Sequence, residues 1–281
     1  MATPTIQRRR LGNALKRARE QAGKTQDEAA AVIDAAASKV SRLELGQSGV
    51  RLTDLNLLLD FYGVSGEQAE SMRDLARAGR QRGRWSGYRT VIPDWFRAYV
   101  DLESDASEIR WYQPEVVPGI LQTERYIRAA HMHISGEAVN KQVEVRLERQ
   151  VILGQADTTL HFILSESVLR RNVGDATIMY EQLEHLAAIA EQPNVELQVL
   201  PFSAQTFGAA WLGFTILRFD RDAASDVVYL EYWTDADYLD SPDEVQAYTA
   251  LWNRLQAAAM GQVESRHMIL RIAEEFRQRQ G

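Results

Sequence analysis

The 281-residue chain contains no cysteine, which excludes disulfides, thiolate metal sites and cysteine nucleophiles and agrees with a reducing compartment. It also lacks any apolar run near the roughly 20 residues of a membrane-spanning helix. The longest candidate, 29–37, is interrupted by Asp34. Arg8, Arg9 and Arg10 lead into an amphipathic segment and not an apolar one, which argues against a secretory signal. With 45% hydrophobic and 25% charged residues the composition is globular, and neither disordered nor collagen-like. The expectation is a soluble cytoplasmic protein of about two domains.

Charge divides the chain. Residues 1–90 carry 16 Lys+Arg and 10 Asp+Glu, net +6; of the 32 and 39 in the whole chain this leaves 16 and 29 for 91–281, net -13. A basic head on an acidic body suits a polyphosphate ligand at one end only, because the body repels what the head attracts. Between them, 79–92 is rich in glycine and arginine without helical or strand periodicity, and reads as a basic linker. There Arg80, Arg82 and Arg84 are candidate phosphate contacts and Trp85 a packing residue, with a plain solvated linker the alternative.

The head, 1–78, shows five short amphipathic helices. Leu11, Leu15, Ala18 and Ala22 share one face of a helix over 8–22, stopped by Gly23. Thr25-Gln-Asp-Glu28 is a capping box that opens a helix over 26–33. A third helix, 36–45, buries Val40 and Leu43 and exposes Ser38, Lys39, Ser41 and Arg42. Helices over 53–62 and from the box Ser65-Gly-Glu-Gln68 to 78 complete the set. Two short helices joined by a tight turn, the second with small polar and cationic side chains, fit a major groove about 12 Å wide.

Thr25-Gln-Asp-Glu-Ala-Ala30 and Ser38-Lys-Val-Ser-Arg-Leu-Glu-Leu-Gly46 resemble the XRE type of helix-turn-helix, the fold of the lambda and Cro repressors, over about 8–65. The resemblance implies double-stranded DNA as partner. It makes Gln26 a phosphate-positioning residue, counts Thr25 with the DNA-binding residues and sets Ala37, Ser38, Lys39 and Ser41 in the base-facing turn. Arg42 and Glu44 resemble an Arg-x-Glu that serves as an ion pair or phosphate contact. Asp34 stands where the family has a turn glycine, a left-handed position that aspartate tolerates better than most residues, and Ala36 where it has a hydroxyl N-cap.

The body, 93–281, reads as α+β, so the fold class is an all-α helix-turn-helix domain plus an α+β domain. Helical stretches at 94–108, 121–133 and 138–153 precede strands at 160–164, 195–200, 213–219 and 226–233. A helix over 175–192 lies between the first two strands, one announced by Ser241-Pro-Asp-Glu244 runs to 259, and the last spans 262–278. The segments 117–123, 145–150, 165–171, 181–186, 194–201, 229–231 and 264–265 resemble the C-terminal domain of actinobacterial XRE regulators of the WhiJ type, described as antitoxin-like. That resemblance implies a transcription regulator whose body dimerises and receives a signal, or a small protein encoded beside it.

No phosphate loop, Rossmann glycine pattern, nucleophile elbow or zinc-protease motif is present, so neither cofactor nor enzymatic activity is expected. His131 and His133 are two apart on a predicted helix and point apart, so no metal is expected there. Glu166 and Glu231 remain open: links to arginines such as Arg146 or Arg170, inducer ligands, or an acid and base in a pocket. The last would make the body an enzyme that the head only localises. Asp235, Asp237 and Asp240 are candidate contacts for a basic partner protein.

Overall fold

In a computed structural model of the chain, residues 6–78, 93–133, 136–205, 211–219 and 226–279 are described. The linker residues Arg80, Arg82, Arg84 and Trp85 lie outside them. Contacts divide the chain into two units, the first reaching Asp105 and the second beginning at Ala106. The sequence boundary at 93 therefore differs from the contact boundary by one helix, Asp94–Asp105, which touches the first helix of the head.

In the first unit α1 (Ile6–Gln21), α2 (Gln26–Val32), α3 (Ala37–Glu44), α4 (Leu52–Tyr62) and α5 (Gly66–Ala78) enclose one apolar core. Leu15, Val40, Leu55, Leu58 and Leu59 are all at most 2% exposed. Each contributes roughly 1.5–3 kcal/mol by leaving water. The capping box forms as its spacing predicts, Thr25 Oγ1 accepting from Glu28 N while Glu28 accepts from Thr25 N. Asp34 has φ of +48°, the left-handed turn its position required. Ala36 caps α3 with no side-chain hydrogen bond, as its methyl dictates. At Gly12 a Cβ would lie 2.5 Å from the Glu44 carbonyl oxygen, so only glycine lets α1 and α3 approach this closely. The twelve-residue α6 (Asp94–Asp105) ends this unit.

The second unit is a six-stranded mixed sheet with helices, an α+β arrangement as the sequence pattern predicts. Its strands are β1 (Glu108–Gln113), β2 (Thr159–Ser165), β3 (Val195–Leu200), β4 (Phe214–Arg218), β5 (Val227–Glu231) and β6 (Ala236–Leu239), in the order β3-β2-β1-β4-β5-β6. β1, β2 and β3 are parallel, and β4, β5 and β6 join by antiparallel pairing. The β1–β2 crossover carries α7 (Glu124–Ala130) and α8 (Glu137–Arg149); the β2–β3 crossover carries α9 (Glu166–Arg170) and α10 (Ala176–Ile189). α11 (Pro242–Ala258) and α12 (Gln262–Gln278) follow.

Two strands escape the sequence pattern. β1 begins at Glu108, where the helix expected over 94–108 was to end, and occupies a stretch that the pattern left unassigned, yet it is central. Its burial does not alternate cleanly, because Trp111 and Tyr112 are buried on opposite faces. β6 is four residues long and at the edge, too short for its alternation to signal a strand. Tyr112, Ile163, Phe214, Ile216, Val228 and Leu230 pack on Trp252 and Leu255 of α11. On the opposite face Trp111 stacks on Phe162 at 4.6 Å. The open side of β3 is closed where Val199 N donates to Ser265 Oγ and Met260 N to the Val199 carbonyl, both at 2.9 Å.

Candidate nucleic-acid interface

The recognition face is built on α3, whose orientation against α2 is fixed from beneath. Glu44 is 4% exposed. It accepts from Arg19 Nε at 2.6 Å, Arg19 Nη2 at 3.1 Å and Gln26 Nε2 at 2.8 Å. Arg19 also donates to the Lys24 carbonyl at 2.8 Å. The Glu44 carboxylate thus ties α1, α2 and α3 together, and its partnership raises the Arg19 pKa. Nothing at a separation of 25 residues marks Arg19 in the sequence. Of the two roles open for Arg42 and Glu44, ion pair or phosphate contact, Glu44 takes the first, with Arg19 as its partner.

Arg42 is exposed, and its Nε donates to the Ser38 carbonyl one turn back, at 3.2 Å. No carboxylate among the described residues pairs with it. Lys39 differs, its Nζ lying 2.9 Å from Asp54 Oδ2 in the first turn of α4, with side chains 39% and 15% exposed. Asp54 is a second residue that sequence reasoning missed. Ser38 is exposed, and Ala37 and Ser41 are half-buried beside it. The structure therefore brings Ala37, Ser38, Lys39, Ser41 and Arg42 together on α3. Thr25 and Gln26 sit at the start of α2, Thr25 engaged by Glu28 and Gln26 by Glu44.

In the second unit the acidic candidates separate. Glu166 follows β2, accepting from Arg170 Nε at 2.6 Å and Phe202 N at 3.0 Å; these bonds hold its carboxyl below the ordinary range against the opposing effect of burial. Arg170 also donates to Glu275 at 3.1 Å. Glu231 ends β5 and accepts from Tyr229 Oη at 3.1 Å. β1 and β4 lie between β2 and β5, which at the usual interstrand spacing sets the two strands about 14 Å apart. Glu166 and Glu231 do not meet as an acid and base. Asp235 and Asp237 are exposed at the edge strand β6, Asp235 Oδ1 accepting from Ala236 N at 2.8 Å and Asp237 from Tyr232 Oη at 3.1 Å; Asp240 follows it, also exposed. Charged side chains along a sheet edge oppose its extension by another strand.

Segments set apart in the sequence converge around the turn Gly119–Leu121. Gln182, fully buried, accepts from Thr123 N and donates to the Leu121 carbonyl, both at 2.7 Å. Gln122 donates to the Val117 carbonyl, and Gln150 to the Gln122 carbonyl, each at 2.7 Å. His131 and His133, expected to point apart on a helix, lie in the turn after α7 with their rings 6.1 Å apart and 25° from parallel, because the helix ends at Ala130; His131 Nδ1 lies 2.9 Å from the Ile127 carbonyl and its Nε2 3.2 Å from Arg146 Nη2.

The two-helix geometry in the first unit, with a pinned base and an exposed polar face, is that of a DNA-binding regulator. A family model described as a helix-turn-helix domain matches residues 10–72, supporting the XRE-like type. A second, described as Domain of unknown function (DUF5753), matches residues 96–271, and the chain belongs to that family. No curated protein and no solved structure matches the chain. Among the described residues no helix is long and apolar enough to cross a membrane.

Proposed function

We propose that this chain is a cytoplasmic, sequence-specific transcription regulator of the WhiJ-like, antitoxin-like type, acting by binding and not by catalysis. The observation that carries the reading is the α3 face. Ser38 and Arg42 are exposed on a helix whose backbone is locked by a buried carboxylate, the preorganised, cation-bearing surface that groove reading requires. Base readout falls to Ser38, Lys39 and Ser41, with Ala37 touching a thymine methyl and Arg42, Thr25 and Gln26 positioning phosphates.

A single head covers few base pairs, so the active form is a homodimer held by the second unit, reading two half-sites one or more helical turns apart. Residues 91–281, at net -13, receive a small basic protein, and binding of that protein alters operator affinity by thermodynamic coupling. A body working as a receiver and not as an enzyme is supported by Glu166 and Glu231 leaving the sheet three strands apart.

Sequencing the DNA that co-purifies with the chain, followed by binding of the enriched site over a salt series, tests the head. One enriched, nearly palindromic motif and an affinity falling steeply with salt are expected. Random DNA fragments, or an affinity indifferent to salt, would overturn the reading.

A further inference from the structure

The hairpin that joins β5 to β6 is braced inside and bare outside. Tyr232 N donates to the Asp235 carbonyl at 2.8 Å, which leaves Trp233 and Thr234 at the tip. Tyr232 Oη donates to Asp237 at 3.1 Å and Ala236 N to Asp235 Oδ1 at 2.8 Å, so both acids are held in place by the turn itself. Trp233 stands 91% exposed, with its neighbour Tyr232 at 43%. Because β4 runs antiparallel to β5, with Thr215 opposite Tyr229, the residues before β4 lie at the end where β5 finishes. There Trp211, three positions ahead of β4, is 76% exposed. Two indoles left in water at one end of neighbouring strands do not serve the core, since folding gains from burying such rings.

The charge around the tip has one sign. Between 226 and 253 the chain has no Lys, Arg or His, while 231–244 alone holds six carboxylates, Glu231, Asp235, Asp237, Asp240, Asp243 and Glu244, all exposed. Such a surface repels DNA, and it repels the same surface of a second copy. Aromatic rings rimmed by carboxylates suit a cation instead. A guanidinium suits them better than an ammonium, because its plane stacks on an indole while its edge donates to a carboxylate in two parallel bonds.

We propose that the tip of the β5–β6 hairpin, together with Trp211, is a docking surface for an arginine-bearing basic segment of another protein. Trp233 and Trp211 stack on its guanidiniums, and Asp235 and Asp237 accept their hydrogen bonds. The bonds within the hairpin set the orientation of the acids in advance, so docking has little left to order. This surface gives the basic partner proposed above an address, and it rests on that reading of the second unit as a receiver.

Calorimetry of the full chain with acetylated, amidated octapeptides that alternate alanine with arginine, lysine or glutamate tests it. Saturable binding of the arginine peptide is expected, with weaker binding of the lysine peptide, none of the glutamate peptide, and an affinity that falls as salt rises. Trp233→Ala, at a side chain outside the core, should weaken the arginine peptide about threefold or more, as loss of a cation–π contact implies. Asp235→Asn combined with Asp237→Asn should weaken it further and flatten its salt dependence. In the proton–nitrogen spectrum of the full chain, the indole signals that vanish in Trp211→Phe and Trp233→Phe should be the ones that shift on titration. Peptide binding that is unchanged in these variants and moves neither indole would overturn the surface while leaving the second unit a receiver; no saturable binding by either cationic peptide would overturn both. Equal binding of the arginine and lysine peptides would overturn the stacking role of the indoles. Self-association of the natural chain that Trp233→Ala abolishes, with peptide binding unchanged, would make a second copy the occupant and overturn the proposal.

Discussion

The two units surround their arginines differently. In the first, the Glu44 carboxylate is matched by Arg19 through two bonds, with Gln26 completing its shell. In the second, Arg146 lies beside the like charge of Arg149 and hydrogen-bonds the neutral side chains of Gln142 and His131. A buried charge met by its opposite holds helices in place; one set among neutral groups and beside a like charge is an electrostatic cost.

Removing one partner should expose the contrast most strongly in the first unit. Glu44→Ala leaves the largely buried Arg19 with only the exposed Glu20, 3.7 Å away, as counter-charge, and is expected to cost about 3 kcal/mol, read as loss of hydrogen-exchange protection in α1, α2 and α3. Next in size are the readers. Ser38→Ala and Lys39→Ala should shift base preference by about 1–3 kcal/mol per good contact, whereas Gln26→Ala should weaken all sequences alike. Competition binding on a randomised operator library separates these outcomes, and uniform loss in all three would remove the assignment of readers. Asp54→Asn should free Lys39, raise affinity for non-cognate DNA and steepen its salt slope by about one charge.

In the second unit Arg146→Gln should change stability by less than about 1 kcal/mol, since it relieves a crowded charge while losing two neutral contacts. A loss as large as that of Glu44→Ala would erase the distinction. The smallest effect concerns pH. The Glu231 pKa is raised in the folded state, mainly by burial, so the fold binds more protons than the unfolded chain between the ordinary and the raised value. Stability therefore falls as pH rises through that window. Glu231→Gln should match the natural chain in acid and melt slightly higher near neutrality, which thermal unfolding at the two pH values would show.

Much of the first unit is legible from its residues, because its signals are local. The capping box at Thr25 and Glu28, the apolar stripe of Leu11, Leu15 and Ala18, and Asp34 in the turn act within a few positions of one another. The α3 surface follows from the same periodicity. Arg19, Asp54 and Gly12 were not legible, since each has its meaning only across 15 or more residues, through Glu44 or Lys39. In the second unit β1 was hidden because a strand buried on both faces loses its alternation, and β6 because an edge strand with aspartates looks like a loop. Arg146 and Arg149 were visible only as possible partners for glutamates. That they crowd each other beside Gly119 is a property of the turn packing on α8.

The bond between Lys39 and Asp54 has a kinetic consequence. With Lys39 a base reader, as proposed, the lysine would keep its acidic neighbour on DNA without the right bases, and the head would travel with one cation withheld from the groove. Weaker grip on every wrong site shortens the pause there, so the search speeds up. On that reading the lysine would let go only where a base acceptor can replace the aspartate oxygen, and the dwell would lengthen at that address. The ion pair is a clutch: it lets the protein run along the polymer and engage where the sequence answers.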